Sequence, residues 1–393
     1  MMNNLILYSD VLRFKDILND PIELDKSPDL KWAMEKVHKV VFGDRFNNTF
    51  ELTPNIIEVS FGTKFDQPIT DKTFYSSVKI VTFGENFNQP IDILEDSNIE
   101  CLIFDGFYKG KITKYPKNLK RLVINNGLMY KLENIPVLES LNINGNYNFP
   151  LNLKEGLKEI SITDSNFNQS IDNLPDSITT IQIVSGDFNY DIQKLPKNLK
   201  NLVIYSDYDG RIYQLPDNIE YLSLLVDDDV LEECSFTEKS RLKYISYNWF
   251  TEDMFNRLPD SITTAKITCG GVTKINKFPK NLKYIELSHD FDDDLCNFPD
   301  YITTIVYPFD SGSKIKSFTK VPKSLKKIYL PRSYNGNLSE LPDTVEEIIF
   351  DSYCNCNINS LVLPKQLKSL TLPKKRIAVC DDIEPPAKRI INI

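Results

Sequence analysis

The sequence predicts a β solenoid, a parallel sheet of short strands with one strand per coil, and three observations carry that prediction. Prolines recur at Pro175, Pro196, Pro216, Pro259, Pro279, Pro299, Pro322, Pro342 and Pro364, in steps of 21, 20, 43, 20, 20, 23, 20 and 22, the 43 being two repeats with one proline missing. A fixed period near 20 residues means stacked structural units rather than separate globules. Each proline opens a phrase whose apolar positions read L-x-x-L-x-L, as in Leu199, Leu202 and Ile204 or Leu282, Ile285 and Leu287. Alanine, the best helix former, occurs only four times in 393 residues, against 23 Phe and 19 Tyr, which argues against a mostly helical chain.

The triplet recurs from the N-terminal side onward, as Val37/Val40/Phe42, Val78/Val81/Phe83, Ile99/Leu102/Phe104, Leu157/Ile160/Ile162, Val345/Ile348/Phe350 and Leu367/Leu370/Leu372. Alternation over its last part is a strand with one face buried, and the earlier apolar residue sits in the turn entering it. One strand per coil, always in the same direction, builds the leucine-rich-repeat arrangement. About 20 residues per coil leaves no room for a full helix on the return, so the outer path is expected to be extended or 3₁₀-like, with no regular helices between about residues 40 and 370.

Three segments follow. Residues 1–36 read as a partly helical N-terminal cap, 37–372 as the solenoid of about 17 coils, and 373–393 as a C-terminal tail. In the cap, Ser27-Pro28-Asp29-Leu30 is a helix-start signal, and Val11, Phe14, Ile17 and Leu18 have the spacing of a second short helix. In the tail, basic Lys374, Lys375, Arg376, Lys388 and Arg389 flank an acidic, proline-containing spacer. The preferred reading is a solvated tail whose isoleucines pair onto the last coil, rather than a nuclear-import signal.

The return path has its own words. Phe65-Asp66-Gln67-Pro68-Ile69, Phe87-Asn88-Gln89-Pro90-Ile91 and Phe167-Asn168-Gln169-Ser170-Ile171 place Phe and Ile as inward rungs, and the Asn serves either as a ladder between coils or as a turn residue. These words, with Phe61-Gly62 and Phe83-Gly84 before them and Leu174-Pro175 after, closely resemble the FNIP repeat. This is a short leucine-rich-repeat variant of social amoebae and of the large DNA viruses that infect amoebae. The resemblance is fullest in 42–99 and 157–199 and fades later to the Leu-Pro-x-x-Leu core. Several members of that family carry an N-terminal F-box and are thought to be ubiquitin-ligase substrate adaptors, whereas residues 1–36 show no F-box opening. What the resemblance implies is a recognition scaffold, with an adaptor or a component of a viral particle or factory as alternative roles.

Composition excludes several classes. With 46 Lys and Arg against 55 Asp and Glu the net charge is −9, which disfavours nucleic acid and anionic membranes. No leader and no long apolar run is present, so a cytoplasmic protein is expected, in the host cytoplasm if viral. Seven cysteines fit reduced thiols, and the close pair Cys354 and Cys356 lacks the partners of a zinc site. His38 and His289 are too far apart in a solenoid to cooperate, and no phosphate loop or nucleophile motif occurs. No catalytic residue, metal or cofactor is assigned, and the chain is read as a non-enzymatic scaffold.

Binding surface is the better question. The strand positions facing the concave side read Asn201/Val203/Tyr205, Tyr221/Ser223/Leu225, Tyr244/Ser246/Asn248, Thr264/Lys266/Thr268 and Tyr284/Glu286/Ser288. Tyr205, Tyr221, Tyr244 and Tyr284 form either a recognition surface or an aromatic ladder that only stabilises the sheet. The loops just past these strands are acidic, at Asp207, Asp209, Asp227, Asp228, Asp229, Asp290, Asp292, Asp293 and Asp294. They form an edge suited to a basic protein partner.

Overall fold

The structure is a computed structural model that describes residues 5–7, 10–15, 20–226, 229–248, 250–267, 275–288, 291, 298–307, 321–332, 334, 338–351, 353, 362–372 and 389–392. The chain divides into two compact units, Met1–Leu199 with Tyr205–Gly210, and Lys200–Ile204 with Arg211–Ile393. Each is a stack of short parallel strands one coil apart.

Unit 1 holds β1 (Leu5–Leu7), β2 (Val11–Phe14), β3 (Lys39–Val41), β4 (Glu58–Ser60), β5 (Ile80–Phe83), β6 (Cys101–Phe104), β7 (Arg121–Ile124), β8 (Ser140–Asn144), β9 (Glu159–Ser165) and β10 (Thr180–Ser185). β1 pairs antiparallel with β2, and from β2 to β10 every strand pairs in parallel with the next. The register never slips along the core row: Val40, Val59, Val81, Leu102, Leu122, Leu141, Ile160 and Ile181 stand partner to partner. A one-residue slip in any coil would turn that row to solvent, so burial itself fixes the register.

After β11 (Asn201–Tyr205), unit 2 continues with β12 (Tyr221–Leu225), β13 (Tyr244–Tyr247), β14 (Thr264–Ile267), β15 (Tyr284–Glu286), β16 (Thr304–Val306), β17 (Lys327–Leu330), β18 (Glu347–Phe350), β19 (Ser369–Leu372) and β20 (Arg389–Asn392). β12 to β20 are again parallel neighbours in chain order. Strands therefore sit at the triplets, as the spacing requires.

Two expectations are corrected. Val11 and Phe14 belong to β2 rather than to a second cap helix, with Leu12 and Phe14 buried against the first coil; Ile17 and Leu18 lie outside the described residues. Between residues 40 and 370 a regular helix does occur, α2 (Glu252–Arg257), following α1 (Pro28–Met34) of the N-terminal segment. Thr251 caps α2, its hydroxyl accepting from the Met254 amide at 3.1 Å, and Met254 and Phe255 are the face it buries. Elsewhere among the described residues the return path is irregular or extended, with 3₁₀ turns at Asp92–Asp96 and Leu338–Glu340.

The return-path asparagines form a ladder. The side-chain oxygen of Asn47 accepts from the Asp66 amide, Asp66 from Asn88, and Asn88 from Lys109, at 2.9, 2.9 and 2.7 Å. A second run goes from Asn148 to Asn168, to Asn189, to Asp209, at 3.0, 3.1 and 3.2 Å. Gln67, Gln89 and Gln169 reach back to the same acceptors of the preceding coil. Each coil of these two runs thereby satisfies an amide that an irregular turn would leave unpaired.

Glycine after Phe has an equally direct cause. A Cβ on Gly84 would stand 2.0 Å from the Gly62 carbonyl oxygen, and one on Gly62 2.5 Å from that of Gly43, so successive coils touch backbone to backbone there.

Candidate functional site

Alternation along β12 to β15 buries Leu222, Leu224, Ile245, Tyr247, Ala265, Ile267 and Ile285 and leaves the other side of the sheet open. On that open face Tyr221, Tyr244 and Tyr284 are half-buried, and Tyr205, in unit 1, is exposed. Tyr221 and Tyr244 are register partners whose rings stack at 4.2 Å with planes 7° apart. Thr264 follows on β14 and Tyr284 on β15, so a threonine separates the stacked pair from the third tyrosine. Ser223 and Ser288, expected on the same face, are buried instead.

A second row runs beside the tyrosines. Glu286 accepts from the Tyr284 hydroxyl at 3.2 Å and pairs with Lys266 at 3.3 Å. Burial, then the adjoining Glu286 carboxylate, pushes the Tyr284 phenol well above its ordinary range. Tyr329, on β17, faces the same side with the Lys327 ammonium 4.9 Å from its ring centre, and Lys327 pairs with Glu347. Tyr329 had a legible signal, for it stands between Ile328 and Leu330 as Ser246 stands between Ile245 and Tyr247.

The acidic edge is only partly within view. Asp227, Asp228, Asp290, Asp292, Asp293 and Asp294 lie outside the described residues. Asp207 and Asp209 are exposed. Asp229 differs from a solvated rim charge: its carboxylate accepts from the buried Tyr247 hydroxyl at 2.8 Å, and its carbonyl accepts from Arg211 at 2.6 Å. Burial and the Asp229 carboxylate push the Tyr247 phenol upward, which keeps it a donor. This aspartate therefore holds the fold as well as carrying charge.

Other features offer less chemistry. An open groove of about 620 Å³ lies over the coil that lacks its proline, with Phe236, Leu258 and Phe278 among its lining. Of its charged residues, Lys280 pairs with Asp260 at 2.6 Å and Lys277 donates to the Asn256 carbonyl. His38 is paired with Asp10 at 2.6 Å, and His289, Cys354 and Cys356 lie outside the described residues. Among the described residues no group of three or more His, Cys, Asp or Glu side chains could hold a metal, and no helix is long and apolar enough to cross a membrane.

The FNIP Repeat family model matches residues 334–375. That stretch is not where the repeat words read most fully, since it keeps the Leu-Pro core and lacks Phe-Asn-Gln. Two solved structures share the architecture. One is CroV588, a circular leucine-rich-repeat protein of the giant virus CroV, at 19% identity, with 99% of this chain and 83% of that one covered and a TM-score of 0.53. The other is YopM from Yersinia enterocolitica WA-314, at 14% identity, with 86% and 73% covered and a TM-score of 0.52. Among curated proteins none matches the sequence. The chain thus has a leucine-rich-repeat-like fold of stacked parallel-strand coils, with an FNIP Repeat match over residues 334–375.

Proposed function

We propose that this scaffold is a non-enzymatic protein-recognition module that binds a basic protein partner through the open face of unit 2, with Tyr221 and Tyr244 as its anchor. What supports the reading is the stacked tyrosine pair itself. Two large side chains, locked in register and half exposed, offer rigid apolar area with a hydroxyl at the rim and little entropy left to lose on binding. Tyr284 and Tyr329 extend that surface, and the acidic sequence that follows its strands would attract a basic partner and speed its association.

The experiment is affinity capture from the native cell followed by titration of the captured protein against Y221A/Y244A. Truncating two anchors should weaken binding by about 2 kcal/mol or more. Melting should change far less than loss of two core aromatics, roughly 3–5 kcal/mol each, would require. Undiminished affinity refutes the anchor, and collapse of the fold assigns these rings to sheet stability alone. Ubiquitin-ligase subunits in the capture would make the module an adaptor; particle proteins in fixed stoichiometry would make it structural.

A further inference from the structure

In unit 1 the asparagine ladder stops at two successive coils, where Lys109 and Met129 stand in place of Asn and are exposed. Asn88 and Asn148 each begin or end a run, and between them the equivalent positions are Lys109 and Met129, neither of which can accept as Asn does. The backbone continues across the break: Tyr108 and Leu128 form a parallel bridge, and the Met129 amide donates to the Tyr108 carbonyl at 3.3 Å. The coil is therefore in register and its interior rungs are buried. Only the outward side chains depart from the pattern.

Those side chains lie on two adjoining coils. Phe107, Met129 and Tyr130 are 38%, 51% and 44% exposed, and Tyr130 takes the place that Gln67, Gln89 and Gln169 occupy in regular coils. Beside Tyr130 in the neighbouring coil stands Gly110, where a Cβ would meet the Tyr108 hydroxyl at 2.4 Å, so no side chain of that residue stands next to the Tyr130 ring. Flanking them in sequence, Lys109, Lys111 and Lys131 are exposed, with Glu133 alone between Lys111 and Lys131 at 3.0 and 3.4 Å. In a chain of net charge −9 this is a local excess of positive charge.

Single exposed apolar residues need no explanation, but three on adjoining coils, at the place where the repeat's own solution is a polar ladder, do. We propose that the ladder break is a docking surface for an acidic protein segment carrying an aromatic or aliphatic anchor, the anchor lying on Met129 and Tyr130 beside Gly110 and the carboxylates meeting Lys109, Lys111 and Lys131. This site is distinct from the open face of the sheet and does not depend on the function proposed there. A basic segment is repelled by the same three lysines, and the anchor separates the site from a purely electrostatic one.

The repeat supplies its own control. M129N/Y130Q writes the regular Asn-Gln pair into the coil, restores an acceptor and leaves the interior untouched. Full-length protein is used to select from a displayed library of random 12-residue peptides, with the variant as counter-selection, and enriched peptides are titrated by fluorescence anisotropy. The expected result is enrichment of peptides with Asp or Glu around an apolar residue, binding the variant at least roughly tenfold more weakly and weakening with salt. Equal binding to the variant, enrichment of basic or uncharged peptides, or no enrichment overturns the proposal. So does self-association of the native protein, seen by sedimentation, that the variant abolishes, since the occupant would then be a second copy. Unchanged melting of the variant is required for any loss of binding to count.

Discussion

In unit 1 the rings of Phe42, Phe61 and Phe83 lie parallel at 5.0 and 5.9 Å, and a second row, Phe46, Phe65 and Phe87, lies parallel beside them at 6.2 and 6.1 Å. In unit 2 the corresponding interior holds aliphatic side chains with aromatic pairs set edge-on or tilted, as Phe255 on Phe278 at 78° and Phe278 on Phe298 at 56°. Both units keep the same strand register. The difference lies in the return path. Where each coil repeats Phe-Gly and Phe-Asn-Gln, glycine contacts and Asn bonds hold successive returns at one spacing, and identical rings can superpose. Where the returns differ, as with α2 in one coil and a missing proline in the coil before it, rings meet at whatever angle the path allows. Unit 2 ties its proline turns together by side chains of opposite charge, Asp260 to Lys280 and Asp343 to Lys365, a link that unit 1 also makes between Asp176 and Lys197.

The largest effect that would break this comparison is at a stacked ring. Phe83 is fully buried and lies 3.9 Å from Phe87 as well as in its own row. F83A should cost about 3–5 kcal/mol, since the rigid glycine and Asn contacts around it leave the cavity little room to collapse. F278A, at a more open and tilted position in unit 2, should cost clearly less. Chemical denaturation of the two variants decides, and equal losses would mean that the parallel stack adds nothing beyond burial.

The strands and their register were legible because a two-residue alternation repeated at a fixed period leaves one solution. The N-terminal segment was less so: Val11, Phe14, Ile17 and Leu18 have helical spacing, yet Val11–Phe14 is a strand, because the first solenoid strand needs a partner that spacing alone cannot report. For the Asn residues, ladder and turn use the same letters, and the deciding acceptor lies about 20 residues away. The tyrosine face could be placed from alternation, whereas the hydrogen bond that commits Asp229 to Tyr247 crosses 18 residues and has no local signature. The ladder break at Met129 was readable as a departure from the Phe-Asn-Gln word, but only the structure shows that the coil stays in register there.

A smaller effect separates the two ways of linking returns. Asn168 accepts from the Asn189 amide on an exposed surface, so N168A should cost about 0.5–1.5 kcal/mol, toward the lower end because water can replace the bond. N168D should be nearly neutral, since Asp66 already does the same work for Asn88 in this chain. Thermal melts of the pair test whether the acceptor oxygen, rather than the amide group, is what the ladder uses. If N168D is as damaging as N168A, the ladder depends on donated bonds instead.

The smallest effect concerns the charged links of unit 2. The carboxylate of Asp260 accepts both from the Lys280 ammonium, at 2.6 Å, and from the Lys280 backbone amide, at 3.1 Å. The ammonium first, and then the amide, hold its carboxyl below the usual carboxylate range. A folded value below the unfolded one, about 3.9, means that the contribution is fully present above that pH and is lost as pH falls through the lower folded value. D260N keeps an acceptor for the amide and removes only the charge, whereas D260A removes both. Because the pair is solvent-exposed, the charge is screened and worth little. D260N should melt close to wild type near neutral pH, merge with it once the pH is below the folded value, and differ from it least at high salt. D260A should melt lower throughout, because the Lys280 amide loses its partner at every pH. A D260N variant that melts as low as D260A near neutral pH would show that the ion pair, and not the acceptor bond, joins these coils, and the resemblance between the polar ladder of unit 1 and the charged one of unit 2 would end there.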